Sequence, residues 1–222
     1  MEMDIESGAR WFAEQIKKGR AVVFSGAGLS TESGLADFRS KEGMWAHVDP
    51  MQYASINALE RDYDSFREFY KSRLYVPESI QPNKGHRYVA DWEAAGYVIG
   101  VITQNVDRLH RKAGSVKIAE LHGSLEPVRC HSCGKIWDKG FFLEGKKCDC
   151  GGLLRPGVVL FGEMLPSEPL RLADEWSSSC DTFVVLGSSL VVSPANYFPR
   201  QAKNSGAKLI IVNREETPLD RI

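Results

Sequence analysis

The sequence predicts an α/β fold, a doubly wound parallel sheet carrying a smaller inserted module. Short apolar runs alternate with helical stretches along most of the chain, which is the pattern of a parallel sheet covered on both faces. The polar clusters follow directly after the apolar runs, where such sheets present their ligand-binding loops. Four of the five cysteines lie together between Cys130 and Cys150, apart from the rest.

Taken in order, Ile5 to Lys18 reads as a helix, because Ile5, Ala9, Phe12, Ala13 and Ile16 recur at three- and four-residue steps. Ala21-Val22-Val23-Phe24 is a short run rich in β-branched residues that ends in Ser25-Gly26-Ala27-Gly28, a strand followed by a glycine turn. Met51 to Leu74 reads as helical, with Phe66, Phe69, Tyr70 and Leu74 on one side, and Asn83 to Ala95 as a further helix ended near Gly96. Val98 to Ile102 is a second strand, running into Thr103-Gln104-Asn105. Ile118 to Leu121 is a third, running into His122-Gly123. Phe183 to Leu186 leads to Gly187-Ser188-Ser189, and Lys208 to Val212 leads to Asn213-Arg214. Between these last two, Pro194 to Asn204 is helical.

Composition narrows the function classes. The 28 Lys and Arg against 29 Asp and Glu give the 222-residue chain a formal charge of -1, so no direct nucleic-acid binding is expected. A hydrophobic share of 43% and a charged share of 26% fit a folded globular protein. The longest apolar runs, such as Val158 to Phe161, are far short of the roughly 20 residues of a membrane-spanning helix. The N-terminal MEMDIESGARW is acidic and has no apolar core, which reads against a secretory signal and for a cytoplasmic protein.

The cysteines form a CxxC pair, Cys130 and Cys133, and a CxC pair, Cys148 and Cys150, with fourteen residues between the pairs. Two thiolate pairs on tight turns can surround one tetrahedral zinc, and Gly134 and Gly151 let each turn fold back toward the metal. Four cysteine ligands leave no open position for water, so such a zinc is structural. Free thiols and a redox dithiol are the other readings, and His131 is a possible substitute ligand. A span as short as 126–154 could hardly fold without a metal.

Gly26-Ala27-Gly28 follows a strand as a dinucleotide fingerprint does, but the place of its third glycine holds Thr31. By itself this is a weak match, with an ordinary βα turn as the other reading. The longer string, Gly26 to Arg39, resembles the sirtuin family's GAGxSxxSGxxDFR motif. Thr103 to His110 resembles its TQNxDxLH motif, and Leu121-His122-Gly123 its catalytic histidine motif. The cysteines come next in order, where the family has its zinc module. Arg155-Pro156 and Val158 to Glu163 match RPxVVxFGE, and Gly187 to Leu190 and Ile211 to Asn213 match the last nucleotide-binding pieces. The resemblance runs from about Ala21 to Asn213 in unbroken order.

The resemblance implies a Rossmann-like NAD-binding domain, residues 1–125 and 155–222 with a helical insertion at about 40–75, and a zinc-ribbon module at 126–154. It implies an NAD-dependent protein lysine deacylase acting on acyl-lysine proteins or peptides and yielding free lysine, nicotinamide and O-acyl-ADP-ribose. His122 is then the general base; an unperturbed imidazole pKa of about 6.5 suits proton transfer near neutrality. Asn105 and Gln104 hold ribose hydroxyls or a water, and Asp107 and Val106 meet the nicotinamide carboxamide. Phe38 covers the nicotinamide site, and Arg39 faces the phosphates or ribose, with Asp37 beside them. Gly26, Ala27, Gly28, Ser30, Thr31, Gly187, Ser188, Ser189 and Asn213 complete the cofactor site. Ser188 stands where the family often has threonine, and Ala36 replaces a frequent proline.

The acyl-lysine is expected to enter extended, with Val159, Leu160 and Phe161 pairing with its main chain. Tyr70 and Arg73 lie on one helix face. With Ala54 they resemble the pattern of sirtuins that remove succinyl or malonyl groups, whose arginine pairs with the distal carboxylate. The other reading is a solvated Arg73 and a core Tyr70. Two alternatives for the whole chain are an NAD-dependent mono-ADP-ribosyltransferase and a non-catalytic zinc-ribbon scaffold that binds a nucleotide.

Overall fold

The computed structural model describes residues 4–38, 43–44, 48–74 and 80–221. Its strands are β1 (Ala21–Ser25), β2 (Val98–Thr103), β3 (Ile118–Glu120), β4 (Gly123–Cys130), β5 (Ile136–Trp137), β6 (Leu154–Val158), β7 (Thr182–Leu186) and β8 (Lys208–Val212). Its helices are α1 (Ile5–Lys17), α2 (Pro50–Tyr53), α3 (Ile56–Arg61), α4 (Tyr63–Leu74), α5 (Lys84–Ala94), α6 (Leu109–Ala113), α7 (Lys139–Leu143), α8 (Ser167–Ser179) and α9 (Tyr197–Asn204).

Five parallel strands form one sheet in the order β3-β2-β1-β7-β8. β1 is buried along its whole length and pairs residue for residue with β7, Ala21 with Thr182 through Ser25 with Leu186. Its side chains alternate between the two faces, as strand geometry requires. Val22 and Phe24 join Phe183 and Val185 in a core under α8 and α9, with Ala173, Phe198 and Ala202. Ala21 and Val23 join Val184 in a second core with Ile16 of α1 and Val89 of α5. The sheet is therefore covered on both faces. From β1 the chain winds outward through β2 and β3, then restarts on the other side with β7 and β8. The switch point lies between the carboxyl ends of β1 and β7, the place where such sheets open a crevice.

A third core joins the helical segment to the cysteine-bearing segment. Phe66, Tyr70 and Leu74 of α4 pack with Val128, Cys130, Phe142, Cys148 and Leu154. Hydrogen bonds run the same way, from the Tyr63 hydroxyl to the Leu154 carbonyl at 2.8 Å and from Arg67 to the Leu143 carbonyl at 3.0 Å. Here β5, β4 and β6 form a small antiparallel sheet.

The stretch Met51 to Leu74 is three helices rather than one. Ser55 breaks it by turning its hydroxyl onto the Ala58 N–H at 3.0 Å, capping α3, and Asp62 separates α3 from α4. The helix expected over Pro194 to Asn204 begins at Tyr197.

Candidate active site

A cleft of about 1330 Å³ opens at the switch point and is bounded on its far side by residues 158–163. Its floor is where β1 and β7 end. Gly26 N–H donates to the Leu186 carbonyl at 3.0 Å and Gly28 N–H to the Gly187 carbonyl at 2.9 Å. Gly187 has φ +61, and a Cβ there would sit 2.3 Å from the Leu29 nitrogen; a Cβ on Gly26 would sit 2.7 Å from the Gly187 oxygen. Only glycines let the two strand ends approach this closely.

Polar groups line this floor. Ser188 Oγ accepts from Gln104 Nε2 at 2.7 Å and from Leu190 N–H at 3.3 Å. With both lone pairs used, its hydroxyl proton is what it offers a ligand, which suits a phosphate oxygen. Thr31 spends its proton on the Gly28 carbonyl at 2.9 Å, so its oxygen can only accept. Ala27, Ser189 and Asn213 also line the cleft, and Asn213 Nδ2 donates to the Glu215 carbonyl at 2.9 Å.

Asn105 is buried at the inner wall and is held at three points. Its N–H donates to Thr103 Oγ1 at 3.1 Å, and Nδ2 donates to the Gly26 carbonyl at 3.0 Å and to Ser30 Oγ at 3.2 Å. Its amide hydrogens are thus committed, and Oδ1 is left to accept a hydroxyl proton. His122 follows β3 and lines the same cleft. Its Nδ1 lies 3.1 Å from the Gln104 carbonyl, which can only accept, so Nδ1 carries the proton and Nε2 the lone pair. That is the tautomer a general base needs. Val106 lines the same cleft, and its carbonyl accepts from Leu125 N–H at 3.1 Å.

Asp37, Phe38, Ala54, Tyr70 and Arg73 all line the cleft as well. The Arg73 guanidinium lies 5.1 Å from the centre of the Phe38 ring and 4.9 Å from that of Phe69. Burial pulls the Arg73 pKa down and pushes Tyr70 up to about 12, so near neutral pH the phenol is protonated. Tyr70 therefore belongs both to the core under α4 and to the cleft wall.

The segment after β6 is clasped by a pair the sequence reading did not see. Arg155 is fully buried and meets Glu163 with two contacts, 2.6 and 2.9 Å, while its Nη2 also donates to the Val158 carbonyl. Glu163 in turn accepts from Leu160 N–H at 2.7 Å. Val159 N–H donates to the His122 carbonyl at 2.8 Å, and Phe161 is bridged to Ala54 and Ile56 at 2.9 and 3.2 Å. All three N–H groups of Val159, Leu160 and Phe161 are therefore taken within the protein. Among the described residues, the main-chain groups of this segment with no hydrogen bond to another group include the Val159 carbonyl and both groups of Gly162. The surface open to an added strand is narrower than the sequence suggested.

Two expected cofactor residues lie one layer behind the lining. Ser30 donates to Asp107 Oδ2 at 2.7 Å, and Asp107 Oδ1 accepts Leu109 N–H at 2.8 Å where α6 begins. Ser30 braces Asn105 and Asp107 braces Ser30, and neither borders the cleft. Arg39 lies outside the described residues. Arg214, in the cluster after β8, borders the cleft, and so do Val192, Ser193 and Pro194, whose signal is their place just after the Gly187-Ser188-Ser189 cluster.

Away from the cleft, the four Sγ atoms of Cys130, Cys133, Cys148 and Cys150 lie within 4.8 Å of one another. The Cys130–Cys150 and Cys133–Cys148 separations are 3.5 and 3.6 Å. Zinc bonds of about 2.3 Å in a tetrahedron put sulfurs about 3.8 Å apart, so the set fits a zinc ion. Burial opposes ionisation of Cys130, but N–H donors from Cys133 and Ser132 outweigh it and bring the thiol down to about 6. The His131 imidazole is no part of the group; its Nε2 lies 3.9 Å from Glu60.

Comparison with known proteins agrees with this geometry. The model of the Sir2 family matches residues 26–194. The NAD-dependent protein deacetylase 1 of Geobacillus kaustophilus is 52% identical over 201 residues, covering 90% of this chain and 83% of that protein. The NAD-dependent protein deacylase 2 of Archaeoglobus fulgidus is 43% identical over 233 residues, covering 100% and 89%. A solved structure addressing the mechanism and regulation of Sir2 enzymes superposes with a TM-score of 0.88 at 44% identity, covering 97% and 90%. One of Sir2 with a p53 peptide and NAD+ superposes with a TM-score of 0.85 at 38% identity, covering 96% and 89%.

Proposed function

The chain belongs to the Sir2 family, and we propose that it is an NAD-dependent protein lysine deacylase yielding free lysine, nicotinamide and O-acyl-ADP-ribose. The observation that carries this reading is His122, with its proton pinned on Nδ1 by the Gln104 carbonyl, in the same cleft as Asn105. The cleft at the β1–β7 switch point has room and donors for a dinucleotide.

When bound, NAD supplies an electrophilic ribose carbon and a nicotinamide leaving group. His122 Nε2 accepts a proton from a ribose hydroxyl, and Asn105 Oδ1 orients that sugar by accepting from its neighbour. Ser188 donates to a phosphate, with Ala27 and Ser189 beside it. Asn213 and Thr31 accept from the adenosine ribose. Phe38 covers the nicotinamide side and keeps water out. Ser30 and Asp107 act through Asn105, and Val106 gives main-chain contact. The acyl-lysine passes between Phe38 and Val159, whose carbonyl accepts from the lysine N–H.

Acyl preference is part of the proposal. Arg73 and Tyr70, beside Ala54, form a cationic and hydroxyl-bearing end to the acyl channel, so acidic acyl groups are accepted as well as acetyl. So is the organisation: a nucleotide-binding part of residues 1–125 and 155–222, and a zinc module of 126–154 whose core is shared with the helical insertion. The zinc, held by Cys130, Cys133, Cys148 and Cys150, is structural. Among the described residues no helix is long and apolar enough to cross a membrane. A cytoplasmic location is proposed because four clustered thiols persist as metal ligands in a reducing compartment.

The test is mass spectrometry of acetyl-, succinyl- and malonyl-lysine peptides incubated with the protein, with and without NAD. NAD-dependent loss of an acyl group supports the reading. Transfer of ADP-ribose to protein without deacylation, or no turnover of any peptide, removes it.

A further inference from the structure

His110 is a buried imidazole for which the proposed chemistry has no use. It is 2% exposed, and burial followed by the nearby His86 lowers its pKa to about 3, so it is neutral at physiological pH. Its Nε2 lies 2.8 Å from Ser25 Oγ, and Ser25 Oγ donates to Thr103 Oγ1 at 2.8 Å. Thr103 Oγ1 also accepts the Asn105 N–H at 3.1 Å. Ser25, Thr103 and Asn105 are all buried.

The proton directions follow from counting. His110 Nδ1 is buried and meets no partner among the described residues. An orphaned lone pair is tolerated better than an orphaned N–H. The proton therefore sits on Nε2 and is donated to Ser25, whose own proton goes to Thr103. Thr103 Oγ1 then has both lone pairs filled, one by Ser25 and one by Asn105. The line of bonds starts on α6, crosses the carboxyl ends of β1 and β2, and ends on the main chain of Asn105. Its links at His110 Nε2, Ser25, Thr103 and the Asn105 N–H are all made between buried groups, where a hydrogen bond restrains geometry more strongly than in water.

We propose that His110 is a positioning residue: it fixes Ser25 and Thr103, and through them the main chain of Asn105, so that the Asn105 carboxamide meets the ribose in one orientation. This rests on the deacylase reading of the cleft. His110 touches neither cofactor nor substrate and lines no part of the cleft. Its loss is therefore felt in kcat and not in ligand affinity.

The experiment measures steady-state deacylation, with KM for NAD and for an acetyl-lysine peptide, in His110→Phe, His110→Gln, Ser25→Ala and the double variant His110→Phe/Ser25→Ala, together with melting temperatures. Phenylalanine keeps the bulk and removes the donor; glutamine can place an N–H near the position of Nε2. For His110→Phe, kcat falls about ten-fold or more while both KM values stay within about two-fold. His110→Gln recovers most of that loss. Ser25→Ala matches His110→Phe, and the double variant is no worse than the poorer single one, because both break one line of bonds.

An unchanged kcat in folded His110→Phe overturns the proposal, as does a loss confined to KM, a glutamine variant no better than phenylalanine, or losses that multiply in the double variant. If His110→Phe does not fold, wild-type kcat in Ser25→Ala overturns it equally. A wild-type protein without NAD-dependent turnover of any acyl peptide is a different failure, that of the deacylase reading itself.

Discussion

Arg155 and Glu163 form a bidentate ion pair in which the arginine is fully buried and the carboxylate closes the turn after Leu160. Removing one partner of a buried pair strands the other's charge, at a cost of about 3 kcal/mol. Glu163→Gln is expected to lower the melting temperature clearly and to loosen residues 158–163 at the cleft. Burial raises the Glu163 pKa, but Arg155 and the Leu160 N–H outweigh it, so the net shift is downward. A depressed carboxylate contributes stability above its unfolded pKa and loses it as pH falls through the folded value. The gap between wild type and Glu163→Gln should therefore close in acid, which thermal melts over a pH series will read.

The cysteine cluster shares a core with the cleft wall, since Cys130 and Cys148 pack in the same group as the cleft-lining Ala54 and Tyr70. Metal analysis should find one zinc per chain. Stripping it with a chelator should abolish deacylation, while the five-stranded sheet, whose two cores hold none of these cysteines, retains its circular dichroism.

Gly187 is the tightest point of the floor. Gly187→Ala combines a positive φ, worth about 1 kcal/mol or more of strain, with a 2.3 Å clash against main chain. It should raise KM for NAD at least about ten-fold. Gly206→Ala is the control: its φ is also positive, +97, but nothing lies within 4 Å of the added carbon. It should cost stability and leave KM for NAD alone.

Arg73→Met should lower turnover of succinyl-lysine relative to acetyl-lysine by about ten-fold, the worth of a charge-assisted pair of about 1.5 kcal/mol. Paired peptide assays measure the ratio. An unchanged ratio means that Arg73, lying over Phe38 and Phe69, serves packing alone.

The sequence was most legible where burial and turn chemistry coincide. Ala21 to Phe24 and Phe183 to Leu186 are unbroken apolar runs followed by glycines, and both are central strands. Leu154–Val158 was not readable as a strand because Pro156 and Gly157 interrupt it, yet it pairs antiparallel with β4. α8 was missed because no side chain caps its start and only Ala173 and Ser177 are buried along it. Within the site, Asn105 and His122 stood out by motif, but their bracing did not. Ser30 and Asp107 are 77 residues apart, and Ser25 and His110 are 85 apart. No local pattern encodes such pairings; they exist only once β1 and β2 lie side by side.

The most direct measurement is the deacylation of an acetyl-lysine peptide, with nicotinamide counted alongside, by wild type and His122→Ala. The predicted result is one nicotinamide for each lysine freed, no reaction without NAD, and at least about 10²-fold slower deacylation in the folded variant. Undiminished deacylation in His122→Ala, or deacylation by wild type without NAD, would contradict it.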